Sequence, residues 1–165
     1  AYTAQGFLNR SEAAYRKALE IDPDLVEAWV NLGGSLLLKW DFEGALEANR
    51  EAVKRRDDLL LAHYNMGQAH LYLNQPEDLV RCNEKVIELD SENGAAYYHV
   101  AVGHLALDNL GAAERYLARA IELGHQPNHE FVKAMEKAHI KKQRQENVSL
   151  IEISGAKAPD NTKED

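Results

Sequence analysis

The apolar positions of this chain fall into short helical stripes, and the stripes themselves repeat. Between residues 26 and 59, Trp29, Leu32, Gly33 and Leu36 follow an i, i+3, i+4, i+7 spacing, which places them on one face of a helix. The stripe breaks around Lys39–Glu43. A second follows with Ala45, Leu46, Asn49, Ala52 and Val53, and Asp57-Asp58 ends it. Shifting the chain by 34 residues aligns Trp29 with His63, Tyr97 and Phe131, and Leu32 with Met66, Val100 and Ala134. The same shift aligns Gly33 with Gly67 and Ala101, and Ala18 with Ala52, Val86 and Ala120. Each period therefore predicts a helix, a short turn and an antiparallel helix. One such hairpin cannot bury its apolar face alone, so stacked hairpins make the core. The predicted helices run over 9–21, 25–38, 43–55, 60–73, 76–89, 94–107, 110–123 and 129–144. Gly6 reads as the stop signal of a preceding helix, most of which the chain lacks.

The segment Trp29 to Gly34 (WVNLGG), followed by Ala45 and Ala52, resembles the tetratricopeptide repeat family, as does Tyr15 to Pro23 (YRKALEIDP). The resemblance covers residues 1–127. It implies an all-α fold, a right-handed α-solenoid of 34-residue helix-turn-helix repeats with a C-terminal capping helix. The boundaries are an incomplete first repeat 1–25, then 26–59, 60–93 and 94–127, a capping helix 128–145, and a largely disordered tail 146–165. Within that tail Val148 to Ile153 has strand-like propensity. Several positions depart from the family pattern. His63 stands where an aromatic is usual, and His70 and His104 where a Tyr is common. Asn49 and Asn83 replace an aromatic on the second helix. The repeat 60–93 is the least typical, expected to be the loosest or the most specialised.

Charge removes one class of partner. The net charge of −8 and pI near 5.4 oppose nucleic acid, whose phosphates need a basic surface. No run of 18 apolar residues occurs, so membrane insertion is not expected. Cys82 is the single cysteine, which excludes an intrachain disulfide and a multi-Cys metal site. It leaves the compartment open between a periplasm and a reduced cytosol, with the cytosol favoured.

The family binds peptides or partner proteins on the concave face lined by the first helix of each repeat. A stripe offset by one residue from the core stripe marks that face. In successive repeats it comprises Glu27, Val30, Gly34, Leu37 and Leu38, then Leu61, Tyr64, Gln68, Leu71 and Tyr72, then Ala95, Tyr98, Val102, Leu105 and Ala106. From it we expect a partner-binding groove walled by Val30, Leu37, Leu71, Val102 and Leu105. Tyr64, Tyr72 and Tyr98 are the expected anchors, with Gln68 beside them. Leu37, Leu71 and Leu105 could equally pack between neighbouring helices. The stripe has no Lys or Arg to pair a terminal carboxylate, which disfavours the clamp by which some family members hold chaperone tails. The partner expected is a protein or peptide with apolar side chains. A homo-oligomer formed through the C-terminal tail or the open N-terminal end is the alternative.

No catalytic motif, phosphate loop or dinucleotide fingerprint occurs, and no cofactor is expected. The seven histidines lack ligand spacing, although His70 and His104 occupy equivalent positions in adjacent repeats. His70 is expected to form a polar patch with Cys82 and Asn83. Were it buried and neutral, acid would charge it and loosen that repeat. Lys137 to Arg144 reads as a solvated basic helix face.

Overall fold

The computed structural model describes residues 2–154, and side chains over 6–149. Eight helices form among them: α1 (Tyr2–Ile21), α2 (Val26–Leu38), α3 (Phe42–Arg55), α4 (Leu60–Tyr72), α5 (Pro76–Leu89), α6 (Gly94–Ala106), α7 (Leu110–Glu122) and α8 (His129–Ser154). Two compact units result, 1–127 and 128–165.

In the first unit the helices pair as α2 with α3, α4 with α5 and α6 with α7. Consecutive pairs stack through α3 on α4 and α5 on α6. The first helices of each pair, α2, α4 and α6, also touch in turn and so share one face. The turn inside each pair repeats to the atom. Trp40, Asn74 and Asp108, 34 residues apart, all take left-handed backbone, at φ 65°, 54° and 54°. The next amide then reaches back to the first helix: Asp41 N to Leu36 O at 3.0 Å, Gln75 N to His70 O at 2.9 Å, Asn109 N to His104 O at 2.8 Å. Those bonds satisfy carbonyls that a helix end otherwise leaves open. The second helices start on caps. The Asp41 carboxylate accepts from Gly44 N at 3.0 Å, the Asn109 side chain accepts from Ala112 N at 3.3 Å, and Pro76 opens α5 where no amide is needed.

The turns before α2 and α4 are each closed by a side-chain donor. Trp29 Nε1 donates to Pro23 O at 2.8 Å, and His63 Nε2 donates to Asp57 O at 2.8 Å from the equivalent position. His63 thus replaces the aromatic while keeping its N–H. Inside each pair a glycine faces an asparagine. Asn49 and Asn83 are fully buried and donate to Ala45 O at 2.8 Å and Leu79 O at 2.9 Å. Their amides occupy the space that a Cβ on Gly33 or Gly67 would need. The fourth repeat has Ala101 and Leu117 at those positions instead.

Two sequence expectations fail. Helix α1 runs unbroken through Gly6, because a helix-interior glycine costs only about 1 kcal/mol relative to alanine and does not by itself end a helix. Helix α8 continues through 146–154, where a strand-like segment and the start of the tail were expected. With no partner strand, extending an existing helix needs no new nucleus. The second unit starts with Asn128 Oδ1 accepting from Phe131 N at 2.8 Å. The part of the tail over 155–165 lies outside the described residues.

Candidate functional site

Between α1, α2 and α4, on the face that α2 and α4 share, lies a cavity of about 580 Å³. Helix α2 contributes Val30, Leu37 and Leu38, and α4 contributes Leu61, Tyr64 and Tyr72. Gly34 keeps the floor open, since a Cβ there would meet only Asn65 Nδ2, at 3.7 Å. Asn31, Asn65 and Gln68 supply amide groups, and no acid, lysine, arginine or histidine lines the space. At one end Trp40, Phe42 and Tyr72 gather. Phe42 and Tyr72 stack at 4.7 Å, and Trp40 meets each of them edge-on, at 5.9 and 5.4 Å. An uncharged, largely apolar cleft with a few fixed amides is suited to an apolar side chain and the polar backbone that carries it.

Of the nine residues expected at a partner-binding groove, five line this cavity: Val30, Leu37, Tyr64, Gln68 and Tyr72. Leu71, Val102 and Leu105 are half-buried and lie outside this cavity. Tyr98, expected as an anchor, is 8% exposed. Its ring lies 4.6 Å from that of His125, which the turn at Gly124 (φ 83°) follows on from α7. The expectation missed Trp40 and Phe42, which sit in the break between stripes where periodicity carries no signal. It also missed Tyr15, which comes from the preceding repeat.

Beside Tyr98, Gln68 Nε2 donates to His99 Nε2 at 3.3 Å. The neutral ring then carries its proton on Nδ1, which is buried without a partner. Burial pushes the His99 pKa down to about 4, and the neighbouring His125 adds to the shift. His70 is 1% exposed, with Nδ1 bonded to Gln75 Oε1 at 2.6 Å and Asp78 Oδ2 4.0 Å away. His104 instead stacks on Tyr116 at 5.4 Å, so the two equivalent histidines have separate partners. Among the described residues no three His, Cys, Asp or Glu side chains converge as a metal site would require. Nor is any described helix long and apolar enough to cross a membrane.

Cys82 is buried, and burial pushes its thiol up to about 11. A thiol in that state carries almost no thiolate at neutral pH. The native protein should therefore react negligibly with an aromatic disulfide reagent at pH 8, and stoichiometrically once denatured. Fast native labelling would contradict this placement.

Residues 1–39 match the tetratricopeptide repeat family (TPR repeat), the same 34-residue unit that the turns and buried columns repeat through residue 127. The chain's first 39 residues carry a tetratricopeptide repeat. Solved structures of MamA share the fold of this repeat array. A crystal structure of MamA protein gives a TM-score of 0.74 at 20% identity, over 99% of this chain and 91% of that one. Another crystal structure of MamA gives 0.70 at 20% identity, over 88% and 94%. MamA from residue 41 to its end, from Desulfovibrio magneticus RS-1, gives 0.67 at 22%, over 74% and 69%. At such identities the likeness is one of fold. No curated protein matches the chain.

Proposed function

We propose that this repeat protein is a non-catalytic protein-interaction scaffold that seats an apolar segment of a partner between α2 and α4. The observation that carries this reading is the uncharged cleft bounded by Val30, Leu37, Tyr64 and Tyr72 with the Gln68 amide. A charged group entering it would lose its water and find no counter-charge, which costs several kcal/mol, on the order of a thousandfold in affinity. Apolar side chains gain about 25 cal/mol per Å² on entering. The cleft also lacks the cations a terminal carboxylate would need.

The test is a selection of random dodecapeptides, blocked at both ends, against the protein, followed by affinity measurement with Tyr64→Arg of unchanged helicity. We expect enriched peptides rich in apolar residues, weakened about 30-fold or more by the substitution, the size of a hot-spot loss. Peptides bound equally by both proteins would place recognition elsewhere.

A second reading, self-assembly, is favoured by Phe7 and Ile21 on α1, which are 71% and 80% exposed. Exposed apolar side chains of that size are frequent at subunit contacts. A mass that rises with concentration in light scattering, and becomes constant in Phe7→Glu/Ile21→Glu, would support it. A constant mass in the unmodified protein would dismiss it.

A further inference from the structure

Trp40 occupies a position that the fold itself would fill differently. The three equivalent turn residues Trp40, Asn74 and Asp108 share left-handed backbone and the same turn bond, from their amides to Leu37, Leu71 and Leu105 O at 3.0, 3.2 and 3.1 Å. Asn and Asp tolerate that conformation because a short polar side chain can bond locally, whereas a bulky aromatic is strained there. Two of the three turns thus form without a large side chain. Trp40 is 69% exposed, so what offsets the strain is its contact with the Phe42 and Tyr72 rings rather than burial in the core. A strained, exposed aromatic that its own turn does not require is the kind of residue a functional surface retains.

Its surroundings say which ligand. The Trp40 ring is nearly upright against the stacked Phe42 and Tyr72 rings, at interplanar angles of 66° and 62°. All three border the α2–α4 cavity, whose lining holds no acid, lysine, arginine or histidine. The three rings pack on one another, so they offer faces and edges along one wall rather than a box around a cation. Aromatic side chains prefer such edge and offset contacts. We propose that Trp40 is a specificity-determining residue: with Phe42 and Tyr72 it selects an uncharged aromatic side chain of a partner polypeptide, the anchor that enters the cleft. This rests on the reading of the cleft as a partner-binding groove.

The test titrates the isotope-labelled chain with N-acetyl-tryptophanamide and, separately, N-acetyl-lysinamide, following backbone amide shifts. The unmodified protein should respond to the tryptophan probe at residues 30–40 and 61–72 and not to the lysine probe. Trp40→Asn, which installs the side chain found at position 74, should lose about tenfold or more of that affinity, and Trp40→Phe should retain most of it. Relief of backbone strain and loss of two ring contacts oppose each other, so the Trp40→Asn Tm should stay within about 3 °C of the parent.

Tyr64→Arg separates the two readings. Binding lost in Tyr64→Arg but kept in Trp40→Asn would overturn the role of Trp40 and leave the groove. Binding unchanged in both variants would overturn the groove and this inference with it. A lysine probe bound as well as the tryptophan probe, no shift in the unmodified protein at millimolar probe, or a collapse of Tm in Trp40→Asn would each overturn the proposal.

Discussion

Gly33→Ala should destabilise the protein by about 3 kcal/mol, while Gly34→Ala, one residue along the same helix, should stabilise it by about 0.5–1 kcal/mol. Helix propensity alone gives both changes the same favourable sign. The difference lies in what the new methyl group meets. On Gly33 it would fall 2.0 Å from Asn49 Nδ2 and 2.6 Å from Asn49 Cγ. Asn49 cannot give way cheaply. It is fully buried, donates to Ala45 O at 2.8 Å and accepts from Asn65 Nδ2 at 3.3 Å. Moving it breaks buried hydrogen bonds at about 1–3 kcal/mol each, which outweighs the roughly 1 kcal/mol of propensity gained. On Gly34 the methyl meets only Asn65 Nδ2, at 3.7 Å, an ordinary contact. Gly67→Ala should fall between them: its nearest neighbour, Asn83 Nδ2, is 2.5 Å away, but Asn83 Oδ1 has no partner to lose. Urea unfolding of the three variants measures this order. Two neighbouring substitutions with the same sign would show that Asn49 moves freely and that the column is not packed as described.

The same column explains why so much of the fold could be read from the chain. The left-handed turn residue occurs three times at a spacing of 34, and the glycine, the asparagine facing it and the turn-closing donor each occur twice, so one unit predicts much of the next. His63 looked like a departure and is not one physically, because it keeps the N–H that Trp29 supplies in the repeat before it. The lining of the α2–α4 cavity was legible only in part, for a geometric reason. Its α2 and α4 walls belong to helices, where a one-residue offset from the core stripe identifies the exposed face. Trp40 and Phe42 come from the turn, where no period operates. Tyr98 shares the register of Tyr64, yet the segment after α7 lays His125 over it and buries it, whereas Tyr64 stays half-buried and lines the cavity. Equivalent sequence positions thus have different neighbours at the two ends of a finite stack. The helix ends failed for another reason. Gly6 and the β-branched run at 148–153 carry propensities of at most about 1 kcal/mol, which continuation of an established helix overrides.

The finite stack also creates the largest expected pH effect. Asn65 on α4 donates to Asn49 Oδ1 on α3. The equivalent pair one repeat later is His99 on α6 and Asn83 on α5, and there the bond is missing: His99 Nδ1 and Asn83 Oδ1 are both buried and unpartnered. The imidazole is surrounded by Gln68, Tyr64, Tyr98 and His125, none of which supplies a negative charge at neutral pH. Burial and then His125 hold its pKa down to about 4, whereas in the unfolded chain a histidine titrates near 6.5. Well above pH 6.5 both states are neutral there and the site contributes no pH dependence. As pH falls below 6.5 the unfolded chain takes up a proton that the folded chain refuses. Stability therefore drops until the folded site itself titrates near pH 4. Integrated from pH 7.5 to pH 5, the loss is about 2 kcal/mol. His99→Asn removes the titrating group and places an amide where Asn65 stands in the preceding repeat, within the register that pairs with Asn83. Between pH 7.5 and pH 5 it should lose about 2 kcal/mol less than the parent. Parallel losses in the two proteins between those pH values would locate the acid sensitivity in other groups and contradict a neutral, buried His99.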